Sequence, residues 1–369
     1  MTKTSRNQIK KFQQAIEEQG IDLALFTDRE NIIYFTGLTE LACVAVIIPA
    51  KSEPIAVTLW LDAPYLKEKG AIENVQGYRF PSSNLGEKVV QVIQGLKIKK
   101  PTIGFGKYFV EFSVFDALRT GLTDAQLVSV SETVYKLRAI KDEKEIASIQ
   151  QAGDILATGM EAAVASVKEG VKEVEILAEA EYVMRKAGSE GSNFRMQVLT
   201  GERQLLTHPY AQNKTIEGNQ TVVIHLGATY KGYCAKMCRT VALGDVPSET
   251  YHIYQTLQKA QQAAIESLKP PVAVKDVYDA AYQVIEAGGY GQYFIDDIGH
   301  GIGIRQSEFY PIIGRTRNHI IQAGMVVDLM LATIYHKEFG GPRVTDVVSV
   351  TADGPRLMTD FRRDMITVG

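Results

Sequence analysis

A histidine and a lysine lie on the two strands of one predicted hairpin, among residues that are otherwise mostly apolar. Residues 221–240 read TVVIHLGATYKGYCAKMCRT, two β-prone runs joined by a short YKG connector, which is typical of an antiparallel pair closed by a tight turn. A turn centred on residues 230–231 would place His225 directly opposite Lys236. Burying an imidazole and an ammonium on an apolar sheet costs free energy, so such residues are expected there only where they have a function. The pair therefore predicts a site that moves protons and stabilises negative charge.

The lysine has two possible interpretations. Lysine often extends from the edge of a strand with its ammonium in water. Lys236, however, shares its strand face with Cys234 and Cys238, which favours a buried position. A buried ammonium needs a compensating carboxylate, such as Glu308, or a substrate anion. The positive charge would in turn keep the imidazole of His225 neutral and able to accept a proton.

Three of the six histidines, His208, His225 and His300, occur in segments that carry other polar residues. His300 lies between two glycines in the loop IGHGIGIRQSEFYP, and a further polar segment, GGPRVTDVVSV, occupies residues 340–350. A single histidine is more often a hydrogen-bonded structural residue than a catalyst. The prediction of a site therefore depends on these segments meeting in one cleft.

The composition describes a soluble globular chain and gives no indication of nucleic-acid or membrane binding. The 369 residues are 45% hydrophobic and 22% charged, and the formal net charge of -3 offers no electrostatic basis for either partner. The opening MTKTSRNQIKKF has no apolar leader-type segment, and no stretch approaches the ~18 apolar residues that span a bilayer. Three cysteines are too few for a disulfide framework, so a cytoplasmic protein is predicted.

The first part of the chain, residues 1–132, has the pattern of a small α/β domain. A helix is predicted over residues 5–19 and another over residues 86–98. The runs DLALFT, NIIYFTG, CVAVIIP, PIAVTLW and TIGFG are predicted as strands because they are short, rich in β-branched and aromatic residues, and bounded by polar or Gly/Pro breaks. Alternation of helices and strands predicts a compact α/β unit.

The second part, residues 133–369, follows a different pattern. Two helices are predicted over residues 141–167 and 171–187, followed by strands, and the same order returns after Asp245 with helices over residues 248–268 and 275–287. Two copies of helix, helix and strands predict a pseudo-symmetric α+β domain. The two sheets would join into one curved surface with a cleft above it.

Six segments in the chain resemble, in order and spacing, the prolidase, aminopeptidase P and creatinase family. They read NIIYFTGL, LRAIKDEKEIASIQQAG, VLTGERQLLTHP, VIHLGATYKGY, IGHGIG and RVTDVVSVT. The resemblance implies a pita-bread catalytic fold behind a creatinase-like α/β N-terminal domain. It also implies a homodimer, in which residues near Trp60 are candidates to reach the partner's site.

The resemblance places unusual residues at the positions of the family's metal ligands. The peptidases of the family hold two metal ions with two Asp, one His and two Glu. Matched motif by motif, these ligands fall on His225, Lys236, His300, Met330 and Thr345. A methionine and a threonine are poor ligands for such ions, and an ammonium repels them. The sequence therefore predicts no dinuclear centre and no cofactor.

The resemblance also assigns roles to neighbouring residues. His208 falls on the proton-transfer histidine of the metal-free creatinase branch, which hydrolyses the C–N bond of a guanidino compound. A related metal-free branch, the ectoine hydrolases, opens a cyclic amidine. Glu308, Tyr335 and Arg343 are candidates for substrate binding. Cys238 stands where creatinase has a glutamate, so the creatine reaction itself is not expected.

Three functional hypotheses follow. The leading one is a metal-independent hydrolase of a non-peptide C–N bond, such as an amidine, guanidine or cyclic amide, in a small carboxylated molecule. Its catalytic residues would be His208, His225, Lys236 and His300, with Lys236 and His300 holding charge in place of the ions. The second is a catalytically inactive pita-bread domain that binds a peptide or protein. The third is an Xaa-Pro peptidase with an unusual metal site.

Overall fold

The computed structural model describes residues 2–106, 111–207, 209–331 and 334–369, and it divides into two compact units, Met1–Arg138 and Ala139–Gly369. The predicted domain boundary at residues 132 and 133 lies a few residues before this division. His208, the predicted proton-transfer residue, falls outside the described residues. Among the residues that are described, no helix is both long and apolar enough to cross a membrane.

The first unit is built around a six-stranded sheet with the strand order β4-β3-β2-β1-β5-β6. Its helices are α1 (Thr2–Glu18), α2 (Arg29–Thr36), α3 (Ala63–Lys69), α4 (Leu85–Gly95), α5 (Phe112–Gly121) and α6 (Ser131–Ala139), and its strands are β1 (Leu23–Phe26), β2 (Ala45–Pro49), β3 (Ile55–Leu59), β4 (Asn74–Tyr78), β5 (Thr102–Phe105) and β6 (Gln126–Ser129). Strand β1 pairs antiparallel with β2 and parallel with β5. The predicted α/β unit is confirmed.

One predicted strand in this unit is wrong, because the run NIIYFTG forms helix α2. The side chain of Asp28 accepts a hydrogen bond from the Asn31 backbone nitrogen at 3.1 Å and caps the start of the helix. Gly37, with φ of 75°, ends it in the left-handed conformation. Residues 31–36 are all buried, so the run lacks the polar face that would have revealed a helical period.

The second unit contains a nine-stranded sheet whose main path is β12-β11-β14-β15-β9-β8-β7. Its helices are α7 (Glu143–Ala165), α8 (Glu173–Lys186), α9 (Ser248–Ser267) and α10 (Val274–Ala287), and its strands are β7 (Gln197–Thr200), β8 (Gln220–Tyr230), β9 (Tyr233–Leu243), β10 (Val272–Ala273), β11 (Asp297–Gly301), β12 (Glu308–Gly314), β13 (Ile320–Ile321), β14 (Val326–Leu331), β15 (Val344–Thr351), β16 (Gly354–Leu357) and β17 (Ile366–Val368). The predicted order of helix, helix and strands appears twice.

Apolar residues of helices α9 and α10 pack against strands β11, β14 and β15 to form one core of this unit. Leu257, Ala260 and Val277 on the helices, and Val327 and Leu329 on the sheet, are fully buried. Burying a side chain such as Leu or Val stabilises the fold by about 1.5 to 3 kcal/mol. This core lies behind the sheet strands that carry the polar residues of interest, and it holds those strands in register.

The hairpin of β8 and β9 forms as predicted, but its register differs by two residues. The turn residues are Lys231 and Gly232, with φ of 48° and 79°, the positive values that a two-residue type I′ turn needs at both positions. His225 consequently pairs with Cys238, and Lys236 pairs with Gly227. The prediction that His225 lies directly opposite Lys236 is wrong. A shift by two preserves the strand faces, so the two side chains are diagonal neighbours on one face.

Substitutions in this turn test the register. Replacing Gly232 by Ala forces an L-residue into the left-handed conformation, and we expect it to destabilise the second unit by about 1 to 2 kcal/mol. Replacing Lys231 by Asn, which tolerates that conformation, is the matched control and is expected to leave stability unchanged or higher. Urea unfolding measures both. If Gly232→Ala were as stable as Lys231→Asn, the assigned turn would be contradicted.

Candidate active site

A cavity of about 710 Å³ opens on one face of the large sheet of the second unit. Its lining residues are Phe194, Arg195, Gln197, Thr207, His225, Lys236, Ile295, Asp297, His300, Gln306, Ser307, Met330, Tyr335, Arg343 and Thr345. All five positions that sequence motifs match to the family's metal ligands are among them. The segments that the sequence analysis singled out therefore do meet in one cleft.

Four consecutive strand pairings bring polar and sulfur-containing residues into one row across the sheet. The row runs through Gln197, His225, Cys238, Thr345 and Met330, on strands β7, β8, β9, β15 and β14. Because directly paired residues project from the same face of a sheet, these side chains share the cavity face. The sheet register alone therefore positions three of the five ligand-equivalent residues.

Lys236 is buried in the cavity wall and makes an ion pair with Asp328. Its side chain is 4% exposed, and its Nζ lies 2.6 Å from Asp328 Oδ2. The ammonium also donates to Ser307 Oγ and to Met330 Sδ, each at 3.2 Å. The ion pair and the two hydrogen bonds together hold the ammonium in the cavity wall. The positive charge is therefore held inside the site rather than in water.

The compensating carboxylate is Asp328 and not Glu308, the residue that the sequence analysis proposed. Glu308 is buried, accepts a hydrogen bond from the Arg305 backbone nitrogen at 3.3 Å, and is absent from the cavity lining. Asp328 is the one acid in the apolar strand VVDLML, and a lone acid in such a strand needs a cationic partner. That signal, matched with a lone lysine in another apolar strand, could have identified the pair.

Asp328 also connects the ion pair to His300. Its Oδ1 accepts a hydrogen bond from the His300 backbone nitrogen at 2.9 Å, across the paired strands β11 and β14. The His300 ring lines the cavity. Burial lowers the pKa of His300, and the nearby Lys236 ammonium lowers it further, against the opposing effect of Asp328. The neutral imidazole is therefore the favoured form near pH 7.

His225 lies beside Phe194 at the same face of the sheet, with the two ring centroids 4.9 Å apart. The Phe194 ring occupies the space above Gly227, where an added Cβ would come within 2.1 Å of it. Gly227 is also the residue paired with Lys236. The glycine thus lets an aromatic ring approach the sheet next to both the imidazole and the ammonium.

Arg343 is buried at the cavity wall and holds the segment that leads to Thr207. Its guanidinium donates to Gln197 Oε1 at 3.0 Å and to the backbone carbonyls of Gln204 and Leu206 at 2.6 and 2.9 Å. Tyr335 lies near it, with the guanidinium carbon 5.6 Å from the ring centroid. Of the three residues predicted for substrate binding, Tyr335 and Arg343 line the cavity and Glu308 does not. Arg343 has a positioning role as well.

Several lining residues were not found from sequence. Phe194, Arg195 and Ile295 lie in segments between strands, where no period or motif marked them. Thr207 and Gln306 lie in two of the segments singled out from the sequence, but neither residue was itself a candidate. Arg195 places its guanidinium carbon 3.8 Å from the centroid of the Tyr210 ring. Loop residues of this kind become visible only once the fold brings them to the cavity.

The side chains at the five ligand-equivalent positions do not fit a dinuclear metal centre. Only the imidazoles of His225 and His300 are good donors for a divalent ion, and Lys236 brings a positive charge into the same cavity. Asp328, the acid beside them, is engaged by Lys236 and by the His300 backbone. Across the residues that the structure describes, no group of three or more His, Cys, Asp or Glu side chains could hold a metal ion.

The protonation of His300 can be measured directly. We expect its NMR titration to give a pKa below 6.5, with the signal assigned by its loss in His300→Gln. Because the folded state then binds fewer protons than the unfolded state, stability should fall as the pH drops below 6.5 toward the pKa of the folded protein. A pKa at or above 6.5 would contradict the burial of this ring.

Comparisons with known proteins agree with this architecture. Residues 147–352 match the model of metallopeptidase family M24, and residues 8–140 match the creatinase/prolidase N-terminal domain. The chain is 32% identical to the putative dipeptidase YkvY of Bacillus subtilis, over 98% of this chain and 99% of the relative. It is 29% identical to an Xaa-Pro dipeptidase of Pyrococcus horikoshii, over 97% and 98%.

Solved structures resemble this chain over nearly its whole length. The prolidase from Pyrococcus horikoshii superimposes with a TM-score of 0.89 at 28% identity, covering 98% of this chain and all of that one. The Xaa-Pro dipeptidase from Bacillus anthracis superimposes with a TM-score of 0.90 at 28% identity, covering 99% and 100%. The predicted family and the predicted pita-bread fold with its N-terminal domain are confirmed, and the chain belongs to metallopeptidase family M24.

Proposed function

We propose that the protein is a hydrolase that cleaves the C–N bond of a small, carboxylated, dipeptide-like molecule without a dinuclear metal centre. The observation that carries the proposal is the buried Lys236–Asp328 ion pair, whose lysine lines the same cavity as His225 and His300. The cavity volume of about 710 Å³ is within the range of about 300 to 1,000 Å³ typical of small-molecule sites.

The relatives favour a peptide bond as the bond that is cleaved. Proteins described as Xaa-Pro dipeptidases match this chain over nearly its full length, at 27 to 29% identity. They give no support to the amidine or guanidine substrate that the sequence analysis placed first. We therefore place a dipeptide first and keep the non-peptide C–N bond as the second candidate, since four of the five ligand-equivalent positions carry residues that metal-dependent peptide hydrolysis does not use.

The charges at the cavity support a substrate with a carboxylate. Arg343 is 3% exposed, and its described hydrogen-bond partners are an amide oxygen and two carbonyl oxygens rather than carboxylates. Its Nε has no hydrogen-bond partner. A guanidinium stays charged at any relevant pH. The uncompensated positive charge would favour an anionic group in the adjacent cavity.

The proposed chemistry is attack by water on the carbonyl carbon of the scissile bond. A histidine takes a proton from the water as the new C–O bond forms, and returns it to the nitrogen as the C–N bond breaks. The lowered pKa of His300 suits it to accept that proton better than to hold the positive charge first assigned to it. His208 stays a second predicted proton-transfer residue. Lys236 supplies a fixed positive charge near the reacting atoms.

An assay of the full chain after dialysis against EDTA tests the proposal. The panel holds Ala-Pro, other dipeptides, creatine and a cyclic amidine, with products followed by mass spectrometry. We expect Ala-Pro to be hydrolysed at a rate that neither EDTA nor added Mn²⁺ changes. His300→Gln and His208→Gln should each lower kcat by about 10² to 10⁴. His252→Gln is the control, because His252 lies on α9 beside Tyr290 and outside the cavity lining.

Each other outcome points to a different function. Turnover confined to creatine or the amidine would favour the second candidate. Turnover that requires Mn²⁺ would identify a peptidase with an unusual metal site and overturn metal independence. If no member of the panel is turned over, the hypothesis that is favoured is a catalytically inactive domain that binds a peptide or protein partner. That the protein is a cytoplasmic homodimer stays a prediction. Ultracentrifugation of the full chain tests its oligomeric state.

A further inference from the structure

The ammonium of Lys236 contacts three neighbours at the cavity wall. Asp328, Ser307 and Met330 engage it at 2.6, 3.2 and 3.2 Å, and the side chain is 4% exposed. Lys236 itself lines the cavity, and a neighbour that accepts its hydrogen bond is polarised by its charge. Asp328 is fully buried and is not a lining residue, and the Met330 thioether cannot donate. Ser307, which is partly exposed, lines the cavity.

The hydroxyl of Ser307 is a donor without an acceptor among the described residues. Its Oγ accepts the hydrogen bond from Lys236 Nζ, so its own proton must point away from the ammonium. The other hydrogen bond described for this residue is at its backbone carbonyl, which accepts from Arg305 Nε at 3.0 Å. The remaining direction for the hydroxyl proton is the cavity that Ser307 lines.

The loop that carries Ser307 is held in place by its own contacts. Arg305 Nε binds the Ser307 carbonyl, and the Arg305 backbone nitrogen donates to Glu308 Oε1 at 3.3 Å. Glu308 pairs with Gly301 at the junction of β11 and β12. The hydroxyl therefore does not need to be reorganised when a substrate enters, and this preorganisation is what makes such donors effective.

The ion pair strengthens this donor. A hydroxyl that accepts a hydrogen bond from a cation becomes a better donor, because hydrogen bonds in a chain polarise one another, and the effect is larger in a buried site. We infer that the Ser307 hydroxyl donates to the carbonyl oxygen of the scissile bond and stabilises the oxyanion that water attack creates. This role rests on the proposed function. Ser307 keeps its proton throughout, and the proton of the attacking water leaves through a histidine.

The test compares Ser307→Ala with Ser307→Thr, which keeps the hydroxyl. On Ala-Pro, or whichever panel dipeptide the unchanged protein hydrolyses fastest, we expect Ser307→Ala to lower kcat by about 10² to 10³, with KM changed by less than about twofold. Ser307→Thr should retain kcat within about tenfold. A phosphinate analogue of the dipeptide, which mimics the oxyanion, should lose affinity for Ser307→Ala by a similar factor, measured by calorimetry.

Controls separate this role from others. Ser349→Ala removes a buried hydroxyl on β15 outside the cavity lining and should leave kcat unchanged, and thermal unfolding checks that each variant is folded. The inference is overturned if Ser307→Ala keeps kcat within about threefold, if a folded Ser307→Thr is as slow as Ser307→Ala, or if mass spectrometry finds an acyl group on Ser307. Absence of turnover in the unchanged protein would instead overturn the proposed function, and the inference with it.

Discussion

The ion pair between Lys236 and Asp328 determines the polar layout of the cavity. Both side chains are buried, so each has lost its hydration, and their mutual attraction must offset that cost. Lys236 lies on β9 and Asp328 on β14, with β15 between them in the sheet. The lysine side chain thus reaches across one strand, and the pair ties together the two halves of the sheet at the place where His300 and Ser307 also meet.

The apolar core formed by α9, α10 and the sheet does not include the residues at the ligand-equivalent positions. The core of the second unit consists of apolar side chains from helices α9 and α10 and from the sheet behind the cavity. A chain can therefore keep the architecture of a metallopeptidase family while its cavity carries a methionine, a threonine and a lysine where ligands are expected. Membership in family M24 establishes the scaffold, and the chemistry has to be derived from the site.

Much of the architecture and part of the site could be predicted from the sequence, for physical reasons that differ between elements. The hairpin could be predicted because the type and the period of its residues are local properties of the sequence. The structure places both His225 and Lys236 at one cavity. The predicted strand register differed from the observed one by two residues, because a shift of two residues leaves the alternation of strand faces unchanged. Helix α2 was missed because residues 31–36 are buried on all sides. Local patterns cannot distinguish a buried helix from a buried strand.

The counterion of Lys236 could not be predicted correctly from the sequence. Glu308 was favoured because it stands in a recognisable motif, whereas Asp328 lies 92 positions along the chain from Lys236 in a plain apolar strand. Only the strand order β14-β15-β9 brings the two together. The interactions of Ser307 were equally hidden, because they depend on a loop whose geometry has no sequence period. Long-range pairs of this kind require the fold before they can be named.

A double-mutant cycle on the ion pair tests the account most directly. Urea unfolding would compare Lys236→Met, Asp328→Asn and the double variant with the unchanged protein. If the two charges form one buried unit, each single change should destabilise the second unit by about 3 to 5 kcal/mol, because it leaves a buried charge or dipole uncompensated. The free energy of unfolding lost in the double variant should then be at least about 2 kcal/mol smaller than the sum of the losses in the two single variants. Additivity within about 0.5 kcal/mol would contradict the account, since it would mean that Lys236 and Asp328 do not interact.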